Sequence, residues 1–455
     1  MSAASSQGVT PGSAGNVTGG RAVVLGGSIA GLFSARALSE NFAEVVVVDR
    51  DELTGPNDLR RGLPQGHHLH GLLARGQQIA EEYFPGLTEE MKAAGAQLGD
   101  VADDVRWIIN GKRLQKVESG LFALTSSRPF LERHIRNRVL ALPQVSFLEQ
   151  SDILRLTTAE DRREVTGVVV RRQDGTEETL SADLVVDATG RGSRTSVWLQ
   201  EFGFAAVEEE KHKIGLGYTT RYYRVPDEAF EGNISINTVA SAGIPRGAIC
   251  QKIDGGRSIV TAYGILGDHP ATTPEGFLDF IKSLAAPDIY EVLQASEPLD
   301  EPVAYKFPTN LRRHYQRLTD FPTGLLVIGD AVCSFNPSYA QGMTVSALGS
   351  LVLRRHTAES RRPDPIAYFK DLAADAVDGC WEMAVGADLS FPEVEGERTE
   401  EVQQAHAFIA QVQEAASRDA AVARAYSRVI GLVDSPAVLH DPEIEAAIAA
   451  ASTRA

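Results

Sequence analysis

The sequence predicts an α/β fold, with an antiparallel β-sheet inserted into it and a helical C-terminal region. Three observations carry that prediction. Residues 22–49 read as strand, glycine turn, amphipathic helix and second strand closing on an acid. Residues 214–224 show the period of two expected of a long, half-buried strand, and more strand patterns follow at 248–265. From Pro363 onward the chain is alanine-rich and helical.

The opening unit runs from an apolar stretch, Ala22 to Leu25, into a turn bearing Gly26, Gly27 and Gly31. A helix to about Glu40 leads to a second apolar run, Val45 to Val48, which ends on Asp49. Such a unit suits the ADP half of FAD or NAD. Glycine permits the sharp turn, Gly31 lets helix and strand pack closely, and the helix N-terminus, around Ser28 and Ala30, offers free N–H groups to a pyrophosphate. Asp49, 18 residues past Gly31, can accept from ribose hydroxyls. Ser28 stands where the middle glycine of the fingerprint belongs, so the surrounding unit carries the assignment. A glycine turn in a nucleotide-free βαβ protein is the plain alternative, and this segment alone leaves FAD and NAD open.

Beyond it lies a loop from Arg50 to His70, then helical patterns at Leu72–Phe84 and Thr88–Gly95. Val105–Ile109 and Arg113–Val117 flank Asn110-Gly111, a hairpin signal. Pro129–Leu142 reads as a helix. Val165–Arg172 and Thr176–Leu180 flank Asp174-Gly175 as a second hairpin, leading to a buried strand at Ala182–Ala188. Strands at Ile214–Arg224, Ala248–Ile253 and Ser258–Ile265 form the inserted sheet. A last buried strand, Leu325–Ile328, runs into Gly329-Asp330 and a helix from about Gly342.

Composition bounds the function. The 455 residues are 43% hydrophobic, enough for a large core without staples. Three scattered cysteines exclude a disulfide framework and fit a reducing cytoplasm. A net charge of −17, from 44 basic and 61 acidic residues, argues against nucleic acid and anionic membranes as partners. No apolar run reaches the length of a membrane span. The first 20 residues are small and polar, reading as a disordered lead-in with no secretory core.

Three further segments carry chemistry. Ser127 to Glu132 opens a helix with Arg128, which can reach phosphate or ribityl oxygens, although an ordinary solvated arginine is the default for this segment taken alone. Val185 to Ser193 brings a buried strand to Asp187 and a small-residue turn through Gly190. Leu326 to Ala331, followed by Asn336-Pro337 and Gln341-Gly342-Met343, takes a strand through Gly329-Asp330 and a proline loop to a helix start. Asp330 can bind ribityl hydroxyls, and the N–H groups at Gly342 suit an anionic ring edge.

Together these segments resemble the glutathione-reductase-type FAD proteins, specifically the single-component flavoprotein monooxygenases of the para-hydroxybenzoate hydroxylase class. The match covers nearly the whole chain in family order. Arg60–Gly76 (RRGLPQGHHLHGLLARG), Ala387–Thr399 (ADLSFPEVEGERT) and the Gly329–Met343 segment look closest to bacterial polyether-type epoxidases of monensin and lasalocid assembly. Val332-Cys333 stands where aromatic hydroxylases carry an Ala-His pair. No Trp-x-Trp-x-x-Pro halogenase segment is found.

The resemblance implies tightly bound, non-covalent FAD, with NAD(P)H docking briefly and O2 as co-substrate. No second GxGxxG-type unit occurs that would hold NAD(P)H permanently. It implies a glutathione-reductase-type FAD-binding Rossmann domain at 21–104, 118–204 and 302–362. The antiparallel substrate sheet would span 105–117 and 205–301, and the helical region 363–455. The expected reaction is insertion of one oxygen atom through a flavin C4a-hydroperoxide, by alkene epoxidation or hydroxylation of a lipophilic natural-product intermediate. Cofactor contacts fall to Gly26, Gly27, Ser28, Ala30, Gly31, Asp49, Arg50, Arg61, Arg128, Asp187, Gly190, Gly329, Asp330, Gly342 and Met343. Pro337, Gly342 and Met343 serve the reacting ring. His68, His70, Tyr218, Tyr222 and Tyr263 are substrate-lining candidates, though aromatic sheet faces also serve as plain core. His67, His68 and His70 lack a nearby carboxylate or cysteine in sequence, so a pocket-lining loop is preferred to a metal site. No obligate protein partner is evident. Two alternatives stay open: a flavin reductase or dehydrogenase of an apolar, isoprenoid-like substrate, and a cyclase with structural FAD.

Overall fold

A computed structural model describes residues 19–54, 60 and 62–452. The lead-in through residue 18 and Arg61 lie outside the described residues. Five strands form a parallel sheet in the order Leu325–Val327, Leu184–Asp187, Arg21–Leu25, Glu44–Val48, Val145–Leu148. Val23, Val24, Val45, Val47, Val185 and Val186 are fully buried, as strands covered on both faces require. The helices Ile29–Leu38 and Gly342–Glu359 pack on one another beside this sheet. The 165–180 hairpin forms with Ser151–Thr158 a separate three-stranded antiparallel sheet, a strand the sequence reading missed.

The larger sheet has nine strands built around Glu209–Arg224, which is longer than the periodicity indicated because its first turn of chain is charged and alternates poorly. Arg257–Gly264 and Val303–Arg313 flank it antiparallel on either side. Residues 303–313, assigned from sequence to the FAD-binding part, are thus a strand of this larger sheet. The sheet is not wholly antiparallel, because Ser235–Thr238 runs parallel to Val105–Ile109. The strand expected at Arg113–Val117 reduces to Lys112–Arg113, since Leu114 turns away to pack with the C-terminal helices.

One face of this sheet packs Val260, Ala262 and Cys250 against Phe277, Phe280 and Ile289 of two covering helices. The opposite face carries Tyr218 and Tyr263, directly paired across strands, with Leu389, Phe391 and Val394 of the C-terminal region packed on them. The two large sheets meet where Leu325–Val327 leaves the parallel sheet and Cys333–Ser334 joins Val303–Arg313. Gly329 and Asp330 lie in that crossing. Among the described residues no helix is long and apolar enough to cross a membrane.

Candidate functional site

The glycine turn is shaped by close backbone approach. Gly26 adopts φ +99°, and a Cβ there would meet the Ala188 carbonyl oxygen at 2.6 Å. A Cβ on Gly31 would stand 1.8 Å from the Gly26 oxygen. Asp49 accepts from Gly27 N at 2.7 Å and from Asp51 N at 2.9 Å, while its burial pushes the carboxyl up from its ordinary range. Arg50, beside it, is exposed.

Ser28 is explained by what it touches. Its hydroxyl donates to Glu132 Oε2 at 2.9 Å and accepts from Arg128 Nη2 at 2.9 Å. Glu132, 2% exposed, also pairs with Arg60 and with Arg128 at 3.0 Å, and Arg60 stands 3.6 Å from Asp49. Burial alone would raise the Glu132 carboxyl; Arg128 and Arg60 outweigh it and hold the group below its usual range. The sequence offers Arg60 or Arg61 as the loop arginine near the flavin, and it gives Glu132 no role. The available signal was the i, i+4 spacing of Glu132 from Arg128.

Arg128 continues to the far end of the site, where its Nη1 reaches the Met343 sulfur at 2.9 Å. Three segments then close around Asp330. A Cβ on Gly329, at φ +65°, would come within 2.8 Å of the Ala30 Cβ. Modest Cβ distances, 4.0 Å from Gly190 to the Asp330 Cβ and 3.7 Å from Gly342 to its Oδ1, complete the convergence. Asp330 accepts no hydrogen bond among the described residues. Burial raises its carboxyl, with Arg128 and Arg191 opposing. Gln341, 4% exposed at the start of the helix Gly342–Glu359, leaves its Oε1 without a partner among the described residues.

These features fit FAD. A glycine turn open to backbone approach, an acid at the second strand end, a half-buried carboxylate without a side-chain donor and an orphaned acceptor beside a helix start are the groups such a cofactor satisfies. Asp187 is bonded within its own turn. Its oxygens accept from Thr189 N at 2.9 Å, Thr189 Oγ1 at 2.6 Å, Ser193 Oγ at 2.5 Å and Thr195 Oγ1 at 2.5 Å. The carboxylate shapes its own turn, and Gly190 of that turn approaches Asp330. Pro337 is exposed on the loop before the helix start.

The histidine loop lies against the nine-stranded sheet. His68, 1% exposed, bonds Thr220 Oγ1 through Nδ1 at 2.8 Å and meets the Tyr218 ring edge-on at 4.8 Å. Burial, then His67, lowers its pKa to about 4; burial, then Arg128, lowers that of His70 to about 3. Tyr222 donates to the His67 carbonyl at 3.0 Å and, with His67, Phe130 and Arg257, lines a cleft of about 340 Å³. Tyr218 and Tyr263 are packed core positions, so of the three tyrosines Tyr222 alone lines the cleft. Among the described residues no three His, Cys, Asp or Glu side chains are grouped to hold a metal.

Residues 22–196 match the model of the FAD dependent oxidoreductase family. Protein Rv3254 of Mycobacterium tuberculosis is 34% identical over 390 residues, covering 81% of this chain and 80% of the relative. Among solved structures, the flavin-dependent brominase Bmp2 aligns with TM-score 0.65 at 15% identity, covering 96% of this chain and 100% of that one. The p-nitrophenol 4-monooxygenase PnpA of Pseudomonas putida aligns with TM-score 0.62 at 14% identity, over 91% and 98%. These likenesses show a shared fold. The chain belongs to the family of FAD-dependent oxidoreductases.

Proposed function

We propose that this FAD-dependent oxidoreductase is a monooxygenase that inserts one atom of O2 into a lipophilic substrate, most simply by alkene epoxidation. Electrons come from NAD(P)H: substrate, O2, NAD(P)H and a proton give oxygenated substrate, NAD(P)+ and water. The observation that carries the proposal is the convergence of Ala30, Arg128, Gly190, Asp330 and Met343 from four separate segments at the junction of the two sheets. Bound FAD would supply the redox chemistry and the activation of oxygen.

The chain's own residues bind and orient. Asp49, which already accepts from Gly27 N, would receive the ribose hydroxyls, and the N–H groups of Ser28 to Ala30 would face the pyrophosphate. Asp330 accepts from the ribityl chain. The Gly342 and Met343 N–H groups, at the positive end of an 18-residue helix, stabilise negative charge on the ring edge. Arg128 links both ends. Tyr222 and the His67–His70 loop border the way in for substrate. His68 and His70, held neutral by burial, place no positive charge there near neutral pH. Epoxidation needs no base to activate the substrate, whereas phenol hydroxylation gains from one. PnpA, a monooxygenase by its name and of the same fold, supports the assignment.

The test is substrate-stimulated NAD(P)H oxidation over a panel of lipophilic alkenes and phenols, with oxygen uptake and product mass followed together. One added oxygen atom, stoichiometric with O2 and NAD(P)H, is the expected result. NAD(P)H oxidation with a reduced product and no oxygen uptake would make the protein a reductase. Turnover needing neither would make it a cyclase.

A further inference from the structure

The segment Ala387–Thr399 has so far had no part in the site, yet its second residue reaches into it. Asp388 ends the helix Asp378–Leu389 and is 1% exposed. Its Oδ1 accepts from Asn336 Nδ2 at 2.8 Å and from Tyr339 Oη at 2.8 Å; its Oδ2 accepts from Asn310 Nδ2 at 2.6 Å. Asn336 and Tyr339 bracket Pro337 on the loop that delivers Gln341 and Gly342 to the helix start. Asn336 Oδ1 in turn accepts from Ser338 N at 3.0 Å and Ser338 Oγ at 2.7 Å. One buried carboxylate therefore gathers both ends of the loop and ties them to Asn310 of the substrate sheet.

The loop needs such a hold. Ala340 sits at φ +55°, a left-handed conformation that costs a residue with a Cβ and persists only where neighbouring bonds enforce it. Charged acceptors make the shorter and stronger hydrogen bonds, and a carboxylate alone accepts from three donors without offering one. Downstream, Arg398 Nη2 donates to the Phe391 and Val394 carbonyls at 2.7 and 2.9 Å, fixing the tail that packs Phe391 and Val394 on Tyr218 and Tyr263.

We propose that Asp388 is a positioning residue for the flavin ring: through Asn336 and Tyr339 it sets the Pro337 loop and the following helix start, so that the C-terminal segment governs how the ring is held. The inference rests on the FAD assignment above. Its test therefore reads cofactor binding and ring environment, with no turnover involved. Apoprotein of the wild type, Asp388→Asn, Tyr339→Phe and Asp419→Ala is titrated with FAD, and the absorption band shape and fluorescence quenching of the bound flavin are recorded. Asp419 caps a distant helix by accepting from Ala421 N at 2.9 Å and Val422 N at 3.1 Å, so its variant controls for general loss of stability in the C-terminal region.

The expected result is an FAD dissociation constant raised about tenfold in Asp388→Asn, with an altered flavin band. Tyr339→Phe, which removes one hydroxyl, shifts both in the same direction by less, and decides the matter if Asp388→Asn does not fold. Asp419→Ala leaves the band unchanged. Wild-type binding of FAD with Asp388→Asn and Tyr339→Phe behaving as Asp419→Ala does would overturn the inference while the FAD assignment stands. A wild-type chain that takes up no FAD overturns both.

Discussion

The Arg128 guanidinium touches the Met343 sulfur at 2.9 Å and the Ser28 hydroxyl at 2.9 Å, so one side chain spans from the glycine turn to the start of the helix Gly342–Glu359. Glu132, enclosed beside it, makes this arginine part of a buried ion-pair cluster with Arg60. Removing one member of such a cluster leaves charge uncompensated in a dry place. A double-mutant cycle of Arg128→Met and Glu132→Gln, read by urea unfolding of the apoprotein, is expected to give a coupling of about 2 kcal/mol. Strictly additive losses would refute the cluster.

Asp330 presents the opposite case, a half-buried carboxylate without a side-chain hydrogen-bond donor among the described residues. Its folded pKa is raised, so the native state binds more protons than the unfolded one above the ordinary carboxyl range, and stability falls as pH rises through that interval. Asp330→Ala is expected to stabilise the apoprotein by about 1 kcal/mol near neutral pH, a gain that fades in acid, and to lose FAD. Thermal melts and FAD titration check both halves. Recovery of fully yellow variant protein would remove Asp330 from the cofactor site.

Two glycines of the site separate steric need from mere proximity. A Cβ on Gly31 would stand 1.8 Å from the Gly26 oxygen, while one on Gly192 meets nothing within 4 Å. Gly31→Ala should cost about 3 kcal/mol and abolish FAD binding, and Gly192→Ala should change neither. Equal behaviour of the two variants in melting and FAD titration would contradict the turn geometry.

His68 gives a pH dependence of stability. Its pKa falls from 6.5 to about 4 on folding, so between those values the unfolded state holds a proton that the native state lacks, and stability is lost as pH drops through this window. The full effect is about 3 kcal/mol. His68→Gln should flatten the profile of unfolding free energy between pH 6.5 and 4, relative to wild type. A slope unchanged by the substitution would show that burial of this imidazole is not its source.

The parallel sheet was legible because buried parallel strands are written as unbroken valine and leucine runs, and the glycine turn because close approach leaves few residues admissible. The strands Ser151–Thr158 and Val303–Arg313 were not legible. Their side chains are mostly half-exposed or exposed and polar, so pairing with Val165–Arg172 and Glu209–Arg224 creates them. Asp187 shows the same limit within the site. Its place at a strand end was readable, but the four donors that consume it come from the fold of its own turn.

The sequence by itself determined that a dinucleotide turn opens the first strand–helix unit, that Arg128, Asp187, Asp330 and Gly342 follow in order, and that strands of a largely antiparallel sheet lie between them. Those signals are local: a turn, a period, a helix start. Only the tertiary structure decided that Ser28 is tied to Glu132, that Asp330 is left without a donor among the described residues, and that Asp388 holds the Pro337 loop from the C-terminal region. Hydrogen bonds and charge pairs between residues 50 to 100 positions apart or more leave no local pattern, since either partner alone reads as an ordinary polar residue. The burial that makes each of them consequential exists only once the two sheets have met.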